Sequence, residues 1–454
     1  YANPSFTAGD VCPILAVDTP TLEPRADAAT EATPTATEEA ATEEAATEEA
    51  ATEEAATEEA TTTPEAAAEA TTLPAPELAL TEELPACPTA VADYGDTLTT
   101  VLEQTNDMLV VETWLRLCDA LTDDRGGLVV FDLNEDGQDD LLAFPTIVSD
   151  IGYGPGGADG VLVIFNVDEE GRYNSVFNEE VYGKPTPLLV GDANSDGQVE
   201  LIWQVESCST FCVTGVQSLS WDEESGAYVP GVFPGAAVAN GEVFIEPVAD
   251  DAPGTGRQIR LVGGLSGTPG GGLEVAHEEI WQSIDGAPFR RIAWTYDREA
   301  ENNDCLGLRL VEADYAMQAA DILGYSLAID LYSQALADAE LRACSIFAME
   351  EDDELALLRG LASFRLMQAQ VYSDNAEAAA ATLADLSAAQ PDAGYTTVAG
   401  DWLASYQADG DAAAACEAVL DAFEVDADMW QVTDQYGYNH PVLAAEQICF
   451  IPAE

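Results

Sequence analysis

Phe131-Asp132-Leu133-Asn134-Glu135-Asp136-Gly137-Gln138-Asp139-Asp140-Leu141 and Gly191-Asp192-Ala193-Asn194-Ser195-Asp196-Gly197-Gln198-Val199-Glu200-Leu201 share one pattern, D-x-N-x-D-G-Q-x-[D/E]-L, and begin 60 residues apart. Side chains at the first, third and fifth places of a tight loop converge on one point. That arrangement suits Ca2+, a hard cation that takes roughly six to eight oxygens. The first loop supplies Asp132, Asn134 and Asp136 at those places, and the second Asp192, Asn194 and Asp196. Glycine at the sixth place permits the sharp turn. The seventh place, Gln138 or Gln198, offers a backbone carbonyl, and the ninth, Asp140 or Glu200, closes the shell. A helix-loop-helix calcium site needs a glutamate at the twelfth place, where Ala143 and Trp203 stand instead. The first loop is flanked by the apolar runs Leu128 to Phe131 and Leu141 to Phe144, so the pattern predicts a strand-loop-strand site.

The β reading extends outward from the loops. From residue 127 to about 303, short apolar runs are broken by Gly, Asp and Pro at roughly 8- to 12-residue intervals. Phe165-Asn166-Val167-Asp168-Glu169-Glu170-Gly171-Arg172-Tyr173 reads as an acidic hairpin turn closing the first unit. Ser220-Trp221-Asp222-Glu223-Glu224-Ser225-Gly226-Ala227-Tyr228 closes the second, which gives about four strands per unit. Over residues 125–235 the chain resembles the FG-GAP or VCBS-type calcium-binding repeats of extracellular β-propellers. The resemblance implies antiparallel blades with Ca2+ in the two loops. Residues 240–300 carry further β-like runs but no third loop. A closed propeller needs about four blades or more, so the expectation is a partial propeller or an open β-domain.

Helical patterns lie on both sides. In residues 84–126, Val111, Trp114, Leu115, Cys118 and Leu121 recur at helical spacing, and Cys87 is placed to reach Cys118. Residues 304–454 predict helices starting near Ala313, Ser326, Glu354, Asn375, Thr397 and Asp411, with breaks at Gly324, Ser373-Asp374, Pro391 and Gly410. A small-large-small rhythm at Ala328, Tyr332 and Ala335 recurs at Ala376, Ala380 and Leu383, and at Ala412, Cys416 and Val419. That rhythm resembles degenerate tetratricopeptide repeats, which implies a protein-binding or packing surface; an ordinary helical bundle is the alternative.

The N-terminal region has a different composition. Residues 25–83 are dominated by Thr, Glu, Ala and Pro, with a Thr-Glu-Glu-Ala-Ala pentad repeated from Thr37 to Ala60. Lacking aromatic side chains and nearly all large apolar ones, this spacer cannot bury a core. As a flexible coil it would span roughly 40 Å. Ahead of it, residues 1–24 form a tail with an apolar stretch containing Val11, Cys12, Ile14, Leu15 and Val17. Such a stretch is suited to adding a strand to a neighbouring copy's sheet edge, while a plain unstructured leader is the alternative. Because the chain opens at Tyr1, a mature protein numbered after export is the expectation.

Composition narrows the partners. Eighty-five acidic residues face 14 basic ones, a net charge of −71 that repels phosphate backbones and anionic headgroups. Nucleic acid is therefore excluded as the expected partner, and no apolar run is long enough for membrane insertion. Nine cysteines without a Cys-x-x-Cys pair point to disulfides in an extracellular or cell-surface setting. Eight lie after residue 84 and can pair among themselves, which leaves Cys12 either intermolecular or free.

No catalytic motif is present. Lys184 precedes Pro185 and sits in no phosphate loop, and the glycine run around Ser266 lacks a nucleophile elbow. His277-Glu278-Glu279 has no second histidine for a zinc-protease pattern, and His440 reads as a turn residue. The expectation is a non-enzymatic, multidomain α+β structural protein: tail 1–24, spacer 25–83, helical segment 84–126, calcium-binding β-domain 127–303 and helical domain 304–454. It would self-associate through the tail into a filament or surface assembly. The alternatives are a stalked adhesin that binds a glycan or surface protein, and a glycan-active enzyme using a carboxylate pair.

Overall fold

Two uninterrupted apolar runs, Leu141-Leu142-Ala143-Phe144 and Val161-Leu162-Val163-Ile164-Phe165, set the architecture. All nine side chains are wholly buried. A strand apolar on alternating faces covers one core, and a strand apolar throughout must lie between two. The computed structural model describes residues 84–147, 159–208, 211–249, 252–265, 275–344, 350–425 and 448–452, together with Met429. The tail with Val11, Cys12, Ile14, Leu15 and Val17, the spacer and His440 lie outside the described residues.

Thirteen described strands form three antiparallel sheets in sequence order. The first sheet holds β1 (Gly127–Phe131), β2 (Asp140–Phe144), β3 (Gly160–Val167) and β4 (Tyr173–Val181) as a simple meander. The second repeats the meander with β5 (Lys184–Gly191), β6 (Glu200–Cys208), β7 (Cys212–Asp222) and β8 (Ala227–Pro230), and β9 (Ala237–Ala239) pairs with β7. The third is β10 (Glu242–Pro247), β11 (Arg257–Gly263), β12 (His277–Gln282) and β13 (Arg290–Tyr296). Four strands per unit, with acidic turns between β3 and β4 and between β7 and β8, is the pattern the sequence predicts. Among the described residues no sheet closes into a barrel.

The sheets stack face to face. Leu142, Phe144, Leu162 and Ile164 of the first meet Leu201, Trp203, Val205 and Leu219 of the second, with Phe144 and Trp203 rings 6.4 Å apart. The opposite face of the second sheet, through Ile202 and Val216, meets Ile259, Leu261 and Trp281 of the third. Each fully buried large side chain of this kind contributes about 1.5–3 kcal/mol, which makes the two sheet-sheet cores the main adhesive of the region.

Helices cover both ends of the stack. Helix α1 (Tyr94–Gln104) and helix α2 (Met108–Leu117) lie on the outer face of the first sheet. There Leu98, Val111, Trp114 and Leu115 pack against Leu141, Ala143, Val161 and Val163. Asp107 caps α2 by accepting the Leu109 N–H at 3.0 Å, and Cys87 bonds Cys118 at its end. At the far end, α3 (Leu306–Gln318) packs on β13, with the Trp294 and Tyr315 rings 5.7 Å apart.

The helices continue as α4 (Ala320–Leu323), α5 (Ser326–Ala337), α6 (Glu351–Tyr372), α7 (Ala376–Ala389), α8 (Gly394–Asp409) and α9 (Ala412–Val425). The predicted breaks at Gly324, Ser373-Asp374, Pro391 and Gly410 all separate helices. Disulfides Cys305–Cys344 and Cys416–Cys449 tie this region, and Cys208–Cys212 closes the β6–β7 hairpin. Ala328, Tyr332 and Ala335 are buried as the rhythm requires. In α7 the register differs: Ala376 and Ala380 are exposed, and Ala379 and Leu386 carry the packing. A helix that is alanine at most of its first positions has no unique apolar stripe, so Leu386 decides which face turns inward.

Candidate metal centre

The two acidic loops adopt one conformation. Glu135 and Ser195 both take left-handed backbone, at φ 58° and 64°, and Gly137 and Gly197 follow at φ 90° and 91°. A β-carbon at either glycine would be strained there, which is why the sixth place is glycine in both. Each loop is knit by its own acids. Asp132 accepts the Asp136 N–H at 3.0 Å and the Gly137 N–H at 2.9 Å. Asn134 accepts from Asp136 N at 3.1 Å, and Asp136 accepts from Gln138 N at 2.9 Å. In the second loop, Asp192 accepts from Ser195 N at 2.6 Å and Gly197 N at 3.2 Å. Asn194 accepts from Asp196 N at 2.9 Å, and Asp196 from Gln198 N at 2.8 Å. The Gln138 side chain turns away to the Val167 carbonyl at 3.3 Å, which leaves the backbone carbonyl as its means of ligation.

The ninth-place acids differ from the others. Asp140 and Glu200 are the first residues of β2 and β6, and both are buried. Asp140 Oδ2 accepts the Leu133 N–H at 3.0 Å, and Glu200 Oε2 accepts the Ala193 N–H at 2.7 Å. Burial, reinforced by the charges of Asp136 and Asp132, pushes Asp140 up to about 6 even though the Leu133 and Asn134 N–H groups face it. Burial likewise raises Glu200 to about 7, with Asp196 and Asp192 adding to the effect. Asp140 Oδ1 is buried and closes no hydrogen bond, although the Asn134 N–H faces the carboxyl. A buried carboxylate oxygen without a partner costs about 1–3 kcal/mol or more, and a cation in the loop would supply the missing partner. The residues present are therefore compatible with calcium: hard oxygen donors and a glycine turn in both loops, and in the first a buried oxygen that closes no hydrogen bond.

The loop carboxylates stand open rather than closed into a shell. The one group of three acidic, cysteine or histidine ligand atoms within 4.8 Å of one another among the described residues is Glu206, Cys208 and Cys212. The two sulfurs of that group are already bonded to each other and are no thiolate ligands. In the acidic loops, by contrast, the side-chain oxygens are engaged by backbone N–H groups, and ligation would redirect them inward.

Two other titratable clusters serve packing. Buried Glu279 accepts from Trp281 Nε1 at 2.7 Å and from Arg291 at 2.8 Å, beside His277, which stacks on Trp294. Between α3 and α5, a cavity of about 140 Å³ presents Arg298, Arg309 and Glu312, with Arg298 already paired to Glu312 at 2.7 Å. No motif signals the residues that border the second loop from the third sheet's side, Thr255 and Gly256, since each meets the loop across more than 60 residues of sequence. Compared with known proteins, the chain matches no family model and no curated sequence.

Proposed function

We propose that the chain is a calcium-stabilised structural protein of the cell exterior, with Ca2+ in the loops Asp132 to Asp140 and Asp192 to Glu200. The observation that carries this reading is the buried, unpartnered Asp140 Oδ1, in a loop whose conformation recurs 60 residues later. Asp132, Asn134, Asp136 and Asp140, with the Gln138 carbonyl, would hold the first ion. Asp192, Asn194, Asp196 and Glu200, with the Gln198 carbonyl, would hold the second. The ion would supply positive charge that lets the buried ninth-place acid ionise.

The surrounding architecture supports a scaffold. Successive four-stranded meanders stacked in order are consistent with a partial propeller, and consecutive packed helices with a degenerate helical repeat. The four disulfides are compatible with an extracellular protein. No helix among the described residues is long and apolar enough to cross a membrane. The disulfides consume eight of the nine cysteines and leave Cys12 over, which supports linkage between copies through residues 1–24.

Two measurements test the reading. Calorimetric titration with calcium should show two sites, one lost in Asp136→Ala and the other in Asp196→Ala; absence of binding heat refutes the metal centre. Electron microscopy of the full chain beside a version lacking residues 1–24 should show assemblies only in the first. Single particles in both would make the protein a monomeric surface module.

A further inference from the structure

We infer that each acidic loop is a fastener between consecutive sheets, so that calcium bound at a loop holds its own sheet to the next one along the chain. This inference rests on the calcium reading above and assigns that site a mechanical role.

The first loop belongs to the first sheet but is bordered by the second. Leu133, its second residue, is buried in the core the two sheets share. Tyr228, on β8 of the second sheet, packs against the same core as Leu133. Its hydroxyl donates to Asn166 of the first sheet at 3.1 Å, and its ring meets Phe177 of β4 edge-on at 6.2 Å.

The second loop repeats the arrangement one sheet further on. Arg257 N, at the start of β11, donates to the Ala193 carbonyl at 2.6 Å, and Thr255 Oγ1 donates to the Asn194 carbonyl at 2.8 Å. Gly256, at φ 74°, lies so close that a β-carbon would collide with the Ala193 carbonyl. A β-carbon on Gly286, in the β12–β13 turn, would lie 3.3 Å from Asp196 Oδ2. Asn194 is buried beneath this cover, whereas Asn134 of the first loop is half-buried. The third sheet thus reads the backbone of the second loop from outside, through the carbonyls of its second and third residues. Whatever orders that backbone also orders the acceptors, and docking of the sheet in turn lowers the entropic cost of filling the loop.

The same logic accounts for the third sheet, whose β10–β11 connection has no acidic motif. Its outer neighbour is α3, held by Arg291 lying 3.4 Å over the Tyr315 ring and by Trp294 against Tyr315. Among the described residues no further sheet follows it, and so there is nothing for a loop to fasten.

Hydrogen exchange on the full chain, with and without calcium, tests the inference. Calcium should slow exchange by roughly tenfold or more at β7–β8 and at β10–β11, beyond the loops themselves. Asp136→Ala should abolish the first effect only, and Asp196→Ala the second only. Thr255→Val, which removes one hydrogen bond at the rim, should weaken the effect at β10–β11 while residues 191–201 keep their calcium-dependent protection. Slowing confined to the two loops, with calorimetry showing calcium bound, would overturn the fastener and leave the metal centre standing. Absence of binding heat would overturn both.

Discussion

Metal removal should make this protein's stability depend on pH in an unusual direction. Asp140 rises from 3.8 to about 6 and Glu200 from 4.5 to about 7 in the metal-free fold, chiefly because burial penalises the charged form. Below about pH 4 these groups hold their protons whether the chain is folded or not, and they contribute no pH-dependent cost. As pH rises further, the unfolded chain releases protons that the folded one keeps, and stability falls. The fall continues until the folded groups themselves ionise near 6 and 7. A shift of roughly two units is worth about 3 kcal/mol per loop. For a β-region of this size that corresponds to a melting temperature lower by roughly 6–12 °C per loop. Calcium held in the loops as proposed would remove the penalty by neutralising the buried charge, so the gap between the calcium and chelator melting curves should widen from about pH 4.5 to about pH 7 and then level off. Differential scanning calorimetry across that range measures it. A gap that is constant with pH, or that narrows as pH rises, would refute the assignment of Asp140 and Glu200 as the buried members of each site.

Other expectations concern the packing. Arg365 is buried against Asp314, whose second oxygen accepts the Tyr332 hydroxyl at 2.5 Å. Arg365→Met strands that carboxylate and should cost about 3–5 kcal/mol, read as a lower urea midpoint for the helical region. Replacing both Cys305 and Cys344 by serine opens a link between residues 39 apart and should cost about 4 kcal/mol by the same assay. Phe144→Ala removes a wholly buried ring from the core of the first two sheets and should cost about 3–5 kcal/mol in thermal unfolding.

The strands and the acidic loops were legible because both depend on local chemistry. Apolar runs bounded by Gly and Asp mark β2, β3 and β6, and the third sheet's strands fall in the runs read between 240 and 300. The start of α3 was less legible. Leu306, Leu308 and Leu310 alternate as a strand would, and the periodicity put the helix start near Ala313. The structure buries Leu306, Gly307 and Leu308 together, so this stretch has no solvent face to give it a helical period, and tertiary packing overrides the local pattern. The oxygen donors proposed for each ion fall within nine residues, so the motif that groups them was likewise readable. The cover on each loop was not. Thr255 meets Asn194 of the second loop across 61 residues, Tyr228 of the second sheet meets Asn166 on β3 of the first across 62, and only the stacking of whole sheets brings these together.

Where the covalent crosslinks fall has a consequence of its own. Cys87–Cys118 lies within the first helical layer, Cys208–Cys212 within a single hairpin, and Cys305–Cys344 and Cys416–Cys449 within the helical C-terminal region. None of the four joins one sheet to another. A reductant therefore softens individual layers and leaves the cores between the sheets alone, whereas a chelator, on the calcium reading proposed above, would act at the seams between the sheets. On that reading, the two reagents used separately would loosen the molecule along different planes, one set by sulfur chemistry and the other by ion supply in the surrounding fluid.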